Sequence, residues 1–208
     1  NRGQLLSIYA TVSLLGMGLG QLLLTYLPLE LVFGFASTLM VVAVLPIFIF
    51  GEEPETKIIP FSLKPYDVWK IPTVACAGVV LSGLVTGSLW TMGPIVAANL
   101  GLAVAEVGSI MFLAVLGGIL LQFPIGYASD ILGRRYLIAM TAAVTTLSAS
   151  WLLYGSAAPS SWHLVGVFFF GGSALSLYAL CAAEANDRSN LTKVEIAALL
   201  LTLYGFGS

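Results

Sequence analysis

The chain has 208 residues, of which 59% are hydrophobic and 9% charged, with a formal net charge of -2. Soluble domains carry about 45–50% apolar and about 25% charged residues, so this sequence could not cover a water-facing surface; with a mean hydropathy of +1.00 it reads as an all-α polytopic membrane protein. It has no glycine-rich phosphate loop, HExxH, CxxC pair or basic patch with interleaved aromatics. Nothing therefore points to an enzyme, a cofactor, a metal site or a nucleic-acid partner.

A helix needs about 20 apolar residues to cross a bilayer. In chain order the candidates are Leu5–Leu24, Leu29–Phe50, Ile71–Ala98, Val104–Ala128, Tyr136–Tyr154 and Trp162–Ala183, with a seventh starting near Glu195 and reaching Ser208. That last stretch is too short to span, and Asn1 is not an initiator methionine, so the expectation is an internal piece of a longer protein. No signal-peptide pattern precedes the first helix. Cys76 and Cys181 fall inside apolar segments and read as small apolar side chains rather than disulfide or metal partners.

The connections differ sharply in charge. Arg2 precedes the first segment, Lys57, Lys64 and Lys70 follow the second, Arg134 and Arg135 the fourth, and Arg188 and Lys193 the sixth; the alternate connections hold no Lys or Arg. Basic residues are retained on the cytoplasmic side, which predicts a cytoplasmic Asn1 and helices that alternate outward and inward from it. Asn190-Leu-Thr192 matches a glycosylation sequon but falls on that same side, where it would stay unused.

Residues 126–135, GYASDILGRR, then form a tight cytoplasmic turn between the fourth and fifth helices. Gly126 permits close helix approach, and Asp130 can accept hydrogen bonds from free N–H groups at a neighbouring helix N-terminus. Gly133 suits a sharp reversal, and Arg134 and Arg135 would anchor the next helix at an anionic inner surface. Together these five residues read as a conformational latch.

This spacing resembles the cytoplasmic-loop signature of the major facilitator superfamily, departing from it at Ile131 and Leu132. Gly87–Pro94 (GSLWTMGP), Leu121–Gly126 (LQFPIG) and Ala185–Arg188 (ANDR) are similar to its YcaD-like branch of sugar or drug transporters, with Glu184 where that branch tends to have His. The resemblance implies an incomplete major facilitator-type bundle covering helices five to eleven of twelve. On that mapping residues 1–50 are the last two helices of the N-terminal half, 51–70 a cytoplasmic loop between halves, and 71–208 a C-terminal half cut within its fifth helix. The acidic, proline-bearing 51–70 stretch also suits an exposed linker by composition. Internal similarity agrees: Asn1, Ser13, Leu14, Gly16 and Gly18 align without gaps to Asn190, Thr202, Leu203, Gly205 and Gly207.

The resemblance implies a secondary transporter working by alternating access. Glu30, Glu106 and His163 map to outer helix ends and Glu184 to an inner one, leaving no ionisable side chain at mid-membrane; a coupling proton would need a carrier in the missing helices, or a deeper Glu106 or Glu184. The neutral polar groups on the helices suit a sugar-like or drug-like solute, and Thr86, Trp90, Gln122 and Ser176 are the cavity candidates, although such groups commonly satisfy backbone instead. Gly93 and Pro94 interrupt the third helix as a gate or hinge, or as a static kink. Gly83-x-x-x-Gly87 and Gly16-x-Gly18-x-Gly20 read as close helix contacts. The partners expected are a small-molecule solute with or without a coupling proton, the lipid bilayer of a bacterial inner membrane, and the missing helices of the same protein. The alternative function is a membrane-embedded sensor or assembly partner that keeps the fold without net flux.

Overall fold

A computed structural model describes residues 2–51, 65–154 and 161–208. Among them are α1 (Arg2–Tyr26), α2 (Leu29–Phe50), a 3-10 turn (Pro65–Lys70), α3 (Thr73–Asn99), α4 (Val104–Leu132), α5 (Arg134–Tyr154), α6 (Ser161–Arg188) and α7 (Lys193–Gly207), with no strand. Four helical stretches are long and apolar enough to cross a membrane, Thr73–Asn99, Val104–Leu132, Arg134–Leu153 and His163–Arg188; within α1 and α2 the apolar stretches found, Val12–Leu23 and Glu30–Pro46, are shorter. The all-α polytopic membrane fold expected from the composition is the one observed.

The packing is that of a membrane protein. Many fully buried positions are small or hydroxylated, such as Ala75, Ala114, Ala174, Ser82, Ser173 and Cys181, beside a few branched ones (Val79, Val115, Ile196, Leu200), whereas Phe33, Phe48, Leu153 and Phe206 are each more than four-fifths exposed. In lipid, helices associate by close backbone approach and hydrogen bonding rather than by hiding large apolar side chains. The α4–α6 crossing follows that rule. A Cβ on Gly171 would fall 2.5 Å from Ala114 Cα, and one on Gly172 would fall 2.5 Å from Leu121 Cδ1 and 2.9 Å from Gly117 O, so only glycines permit this approach. The α3–α7 seam repeats it: Gly83 and Gly87 lie against Tyr204, Gly207 and Ser208, as the spacing of the two glycines leads one to expect. Gly18 packs on Phe112 and Val115 of α4, but Gly16 and Gly20 meet nothing within 4 Å, so that second glycine series makes one contact only. Cys181 is buried against Gly78, filling space as a small apolar side chain.

Two boundaries differ from expectation in ways that matter for the site. α4 continues to Leu132 and α5 begins at Arg134, so the stretch read as a loop is mainly the last two turns of α4, and Gly133 alone reverses the chain at φ +92°. α6 continues past Ala183 to Arg188. The segment 51–70 is also not wholly an exposed linker. Residues 52–64, including Lys57 and Lys64, lie outside the described residues, but the 3-10 turn buries Asp67, pairs it with Lys70 at 2.6 Å, and packs Val68 on the core beside Ile71 and Ile196.

Thr192 caps α7. Its hydroxyl accepts from Glu195 N–H at 3.4 Å, and Glu195 Oε2 accepts from Thr192 N–H at 2.8 Å. Replacing a threonine cap removes about 1 kcal/mol, so Thr192→Ala should speed amide hydrogen exchange across Lys193–Ile196 by roughly fivefold. Exchange at the wild-type rate would show that tertiary packing alone holds this helix start.

Candidate functional site: a charged girdle and an adjoining cavity

Arg134, Arg135 and Arg188 gather at one end of the bundle, where α4 ends, α5 begins and α6 ends. Arg134 Nε lies 2.6 Å from Asp187 Oδ2, and its Nη2 lies 3.5 Å from Asp130 Oδ1. Arg135 Nε and Arg188 Nε both donate to Glu184 Oε1 at 2.8 Å. Glu184 is only 2% exposed, while both arginines that hold it are about half exposed. A carboxylate this deeply placed is tolerated because two charge-assisted hydrogen bonds replace its water.

This arrangement changes the role expected of the two adjacent arginines. Their guanidinium groups also engage carboxylates of α6, because the extra length of α6 carries Glu184 and Asp187 to the first turn of α5. Asp130 is likewise placed differently. Its ion pair is with Arg134, four residues on, and its side chain is 69% exposed rather than docked on a neighbouring helix start. Gly126 has nothing within 4 Å of a built Cβ, so no close helix approach occurs there among the described residues. Gly133 does make the reversal anticipated for it.

Beside this girdle lies a cavity of about 510 Å³, between the Asp130-bearing half of α4, the same end of α6, and Leu14 of α1. Of the four residues expected to face a solute, it brings together Gln122 and Ser176. The Ser176 hydroxyl donates to Gly172 O at 2.7 Å. Thr86 is instead buried in the α3–α7 seam, where its hydroxyl bonds Ser82 O at 2.6 Å and pairs with Tyr204 Oη at 2.6 Å. Trp90, half-buried on α3, lies outside this cavity. α3 runs unbroken through Gly93 and Pro94, and a Cβ at Gly93 would come within 2.9 Å of Met111 Cε, so Gly93 makes a close α3–α4 contact.

At the far end of α4 the picture is different. Thr25 of α1 donates to Ala105 O at 3.2 Å and pairs with Ser109 Oγ at 3.4 Å, and Glu106 accepts from Ala103 N–H at 2.7 Å as a cap of α4. α1 and α4 therefore touch from Thr25 to Gly18 and border the cavity beyond it. Among the described residues no group of three or more His, Cys, Asp or Glu is placed to hold a metal ion.

The girdle's carboxylates on α6 were missed in the sequence reading because Glu184 looked like an isolated helix-end acid. The signal was present: Glu184, Asp187 and Arg188 stand at i, i+3 and i+4, which puts them on one helix face. The glycine pairs at 117–118 and 171–172 were also passed over, since neither makes a G-x-x-x-G spacing by itself.

Comparison with known proteins follows the same lines. The family model described as Major Facilitator Superfamily matches residues 75–206. A protein of Yersinia pestis (strain Pestoides F) named as an uncharacterized MFS-type transporter is 30% identical over 214 residues, covering all of this chain and 54% of that protein. A similarly named protein of Yersinia enterocolitica is 31% identical over 214 residues, and the MFS-type transporter YcaD of Salmonella heidelberg is 29% identical over 215, each again covering the whole chain and 54% of the relative. The chain thus spans about half the length of the curated relatives it matches. No solved structure matches. A family match across most of α3 to α7, on a bundle of helices long and apolar enough to cross a membrane, has one consequence: the chain belongs to the major facilitator superfamily.

Proposed function

We propose that this chain is part of a secondary active transporter that carries a small organic solute across a bacterial inner membrane by alternating access. Residues 1–50 supply the last two helices of one half, 51–70 the connection between halves, and 71–208 most of the other half, with Asn1 on the cytoplasmic side. The observation that carries this reading is the relation of α1 to α4: bonded at Thr25 and packed at Gly18, they border a cavity of about 510 Å³ at the Asp130 end. Contact at one end with a cavity at the other is what a rocking pair of halves presents in one of its two states. On this reading the state is inward-facing, with Gln122 and Ser176 on the solute path. Asp130, exposed here, docks on the other half when the cavity closes, and Gly133 and the paired arginines hold the turn in shape for that step.

The test is Asp130→Asn in the protein expressed from its full reading frame. Reconstituted uptake should slow roughly tenfold, the size of an ordinary coupling between conformational states, with unchanged membrane insertion. Uptake at the wild-type rate would remove the latch from the mechanism. Solute binding without any flux in proteoliposomes would instead favour a sensor built on the same fold.

A further inference from the structure

The face of α4 that borders the cavity carries an unusual combination. Phe123, Tyr127 and Asp130 stand at i, i+4 and i+7, so they share one helix face, with Gly126 between them. Phe123 is 82% and Tyr127 66% exposed, and the Asp130 side chain is 69% exposed. Around Gly126 there is open space. Two aromatic rings and a carboxylate thus surround a gap at the single position on that face without a side chain.

The charge balance of the cavity favours one sign of ligand. Asp130 and Arg134 are the charged side chains that line it. Arg134 is held tightly by Asp187 at 2.6 Å, reaches Asp130 only at 3.5 Å, and is 25% exposed. Its charge is largely met by α6, which leaves the carboxylate as the accessible group. Aromatic faces attract cations, and the effect grows as the site loses water. A phosphate or carboxylate would meet Asp130 and gain no free guanidinium. The neutral polar groups of the lining, Gln122, Ser129 and Ser176, lie among apolar Leu14, Ile119, Ala179 and Ala183, a mixture that suits an amphipathic ligand with one charge. The volume of about 510 Å³ falls in the range of about 300–1,000 Å³ that accepts drug-sized ligands.

We infer that the ligand of this cavity is a lipophilic organic cation, held between Phe123 and Tyr127 with Asp130 as its counter-charge, and that Gly126 keeps its place clear. The inference rests on the transporter reading only for the statement that the cation is carried; its binding stands separately. Because the carboxylate cannot both face a bound cation and dock on the other half, occupancy and the latch exclude one another at Asp130.

The experiment uses the protein from its full reading frame in neutral-detergent micelles, with equilibrium dialysis of tetraphenylphosphonium and of tetraphenylborate, an anion of nearly the same shape, each corrected for empty micelles. The cation should bind at least tenfold more tightly than the anion, and Asp130→Asn should remove roughly tenfold of cation affinity and narrow that ratio. Gly126→Leu, which meets nothing within 4 Å among the described residues, should exclude the cation while elution and melting, measured alongside, stay as in the wild type; Phe123→Ala should weaken it. Equal affinity for the two ions, an unchanged ratio in Asp130→Asn, or full binding by Gly126→Leu each overturns the inference. Selective binding with no flux in proteoliposomes leaves it standing and removes the transporter reading. Flux of other solutes without tetraphenylphosphonium binding does the reverse.

Discussion

Gly171→Ala should be among the most damaging single changes in the chain, although it adds one methyl group to a helix. In an exposed helix the same change would stabilise by about 1 kcal/mol, since alanine is the better helix former. At position 171 the new Cβ would lie 2.5 Å from Ala114 Cα and 2.6 Å from the Ala114 carbonyl carbon, both backbone atoms of α4. No rotamer relieves such a clash, so the two helices must separate and loosen the α4–α6 crossing on which the girdle and the cavity are both built. Overpacking of a tight core costs about 1–3 kcal/mol, and a backbone-to-backbone contact belongs at the upper end. Melting followed by fluorescence-detected size exclusion gives the comparison, with Gly126→Ala as the internal control because nothing lies within 4 Å there. If Gly171→Ala melts together with Gly126→Ala, the helices do not approach as closely as described.

The second large effect is an asymmetry. Removing both arginines that hold Glu184, as Arg135→Ala with Arg188→Ala, should cost far more than neutralising the glutamate itself. Glu184 is 2% exposed, so without its partners it becomes a buried charge with no compensation, which typically costs about 3–5 kcal/mol. Glu184→Gln leaves instead two arginines that are 53% and 55% exposed, which water can solvate, so the loss should be about 1 kcal/mol. Adding Glu184→Gln to the double arginine variant should then restore stability, because the unpaired charge is gone. Thermal midpoints of the four proteins decide it. Equal losses on both sides, or no rescue, would mean that Glu184 is not held as an ion by these two residues.

Fold class and family were legible from the sequence for a simple physical reason. Bilayer thickness sets a length of apolar helix, and the asymmetry of Lys and Arg sorts the connections, so both signals are local and additive along the chain. Arg134 and Arg135 do meet Arg188, distant in sequence, at one end of the bundle. The reversal at Gly133 was also readable, but the residues before it, read as a turn, are the end of α4.

What a residue touches across the bundle was a different matter. Thr86 and Ser176 are both small hydroxyl residues on apolar helices; one proves to be locked against Tyr204 and the other to border a cavity, a difference set by the rotation of α3 and α6 about their own axes. Helices that are apolar all round give almost no periodic signal of facing, because lipid and neighbouring helices accept the same side chains. By itself the sequence determined that the chain is a set of membrane helices of one superfamily with a charged cluster, Asp130, Arg134 and Arg135, around a reversal at Gly133. Only the tertiary structure decided that both arginines of that turn are held by α6, that Glu184 is buried between Arg135 and Arg188, and that Asp130 and Gly126 border a cavity, since each depends on helix ends meeting across many residues of chain.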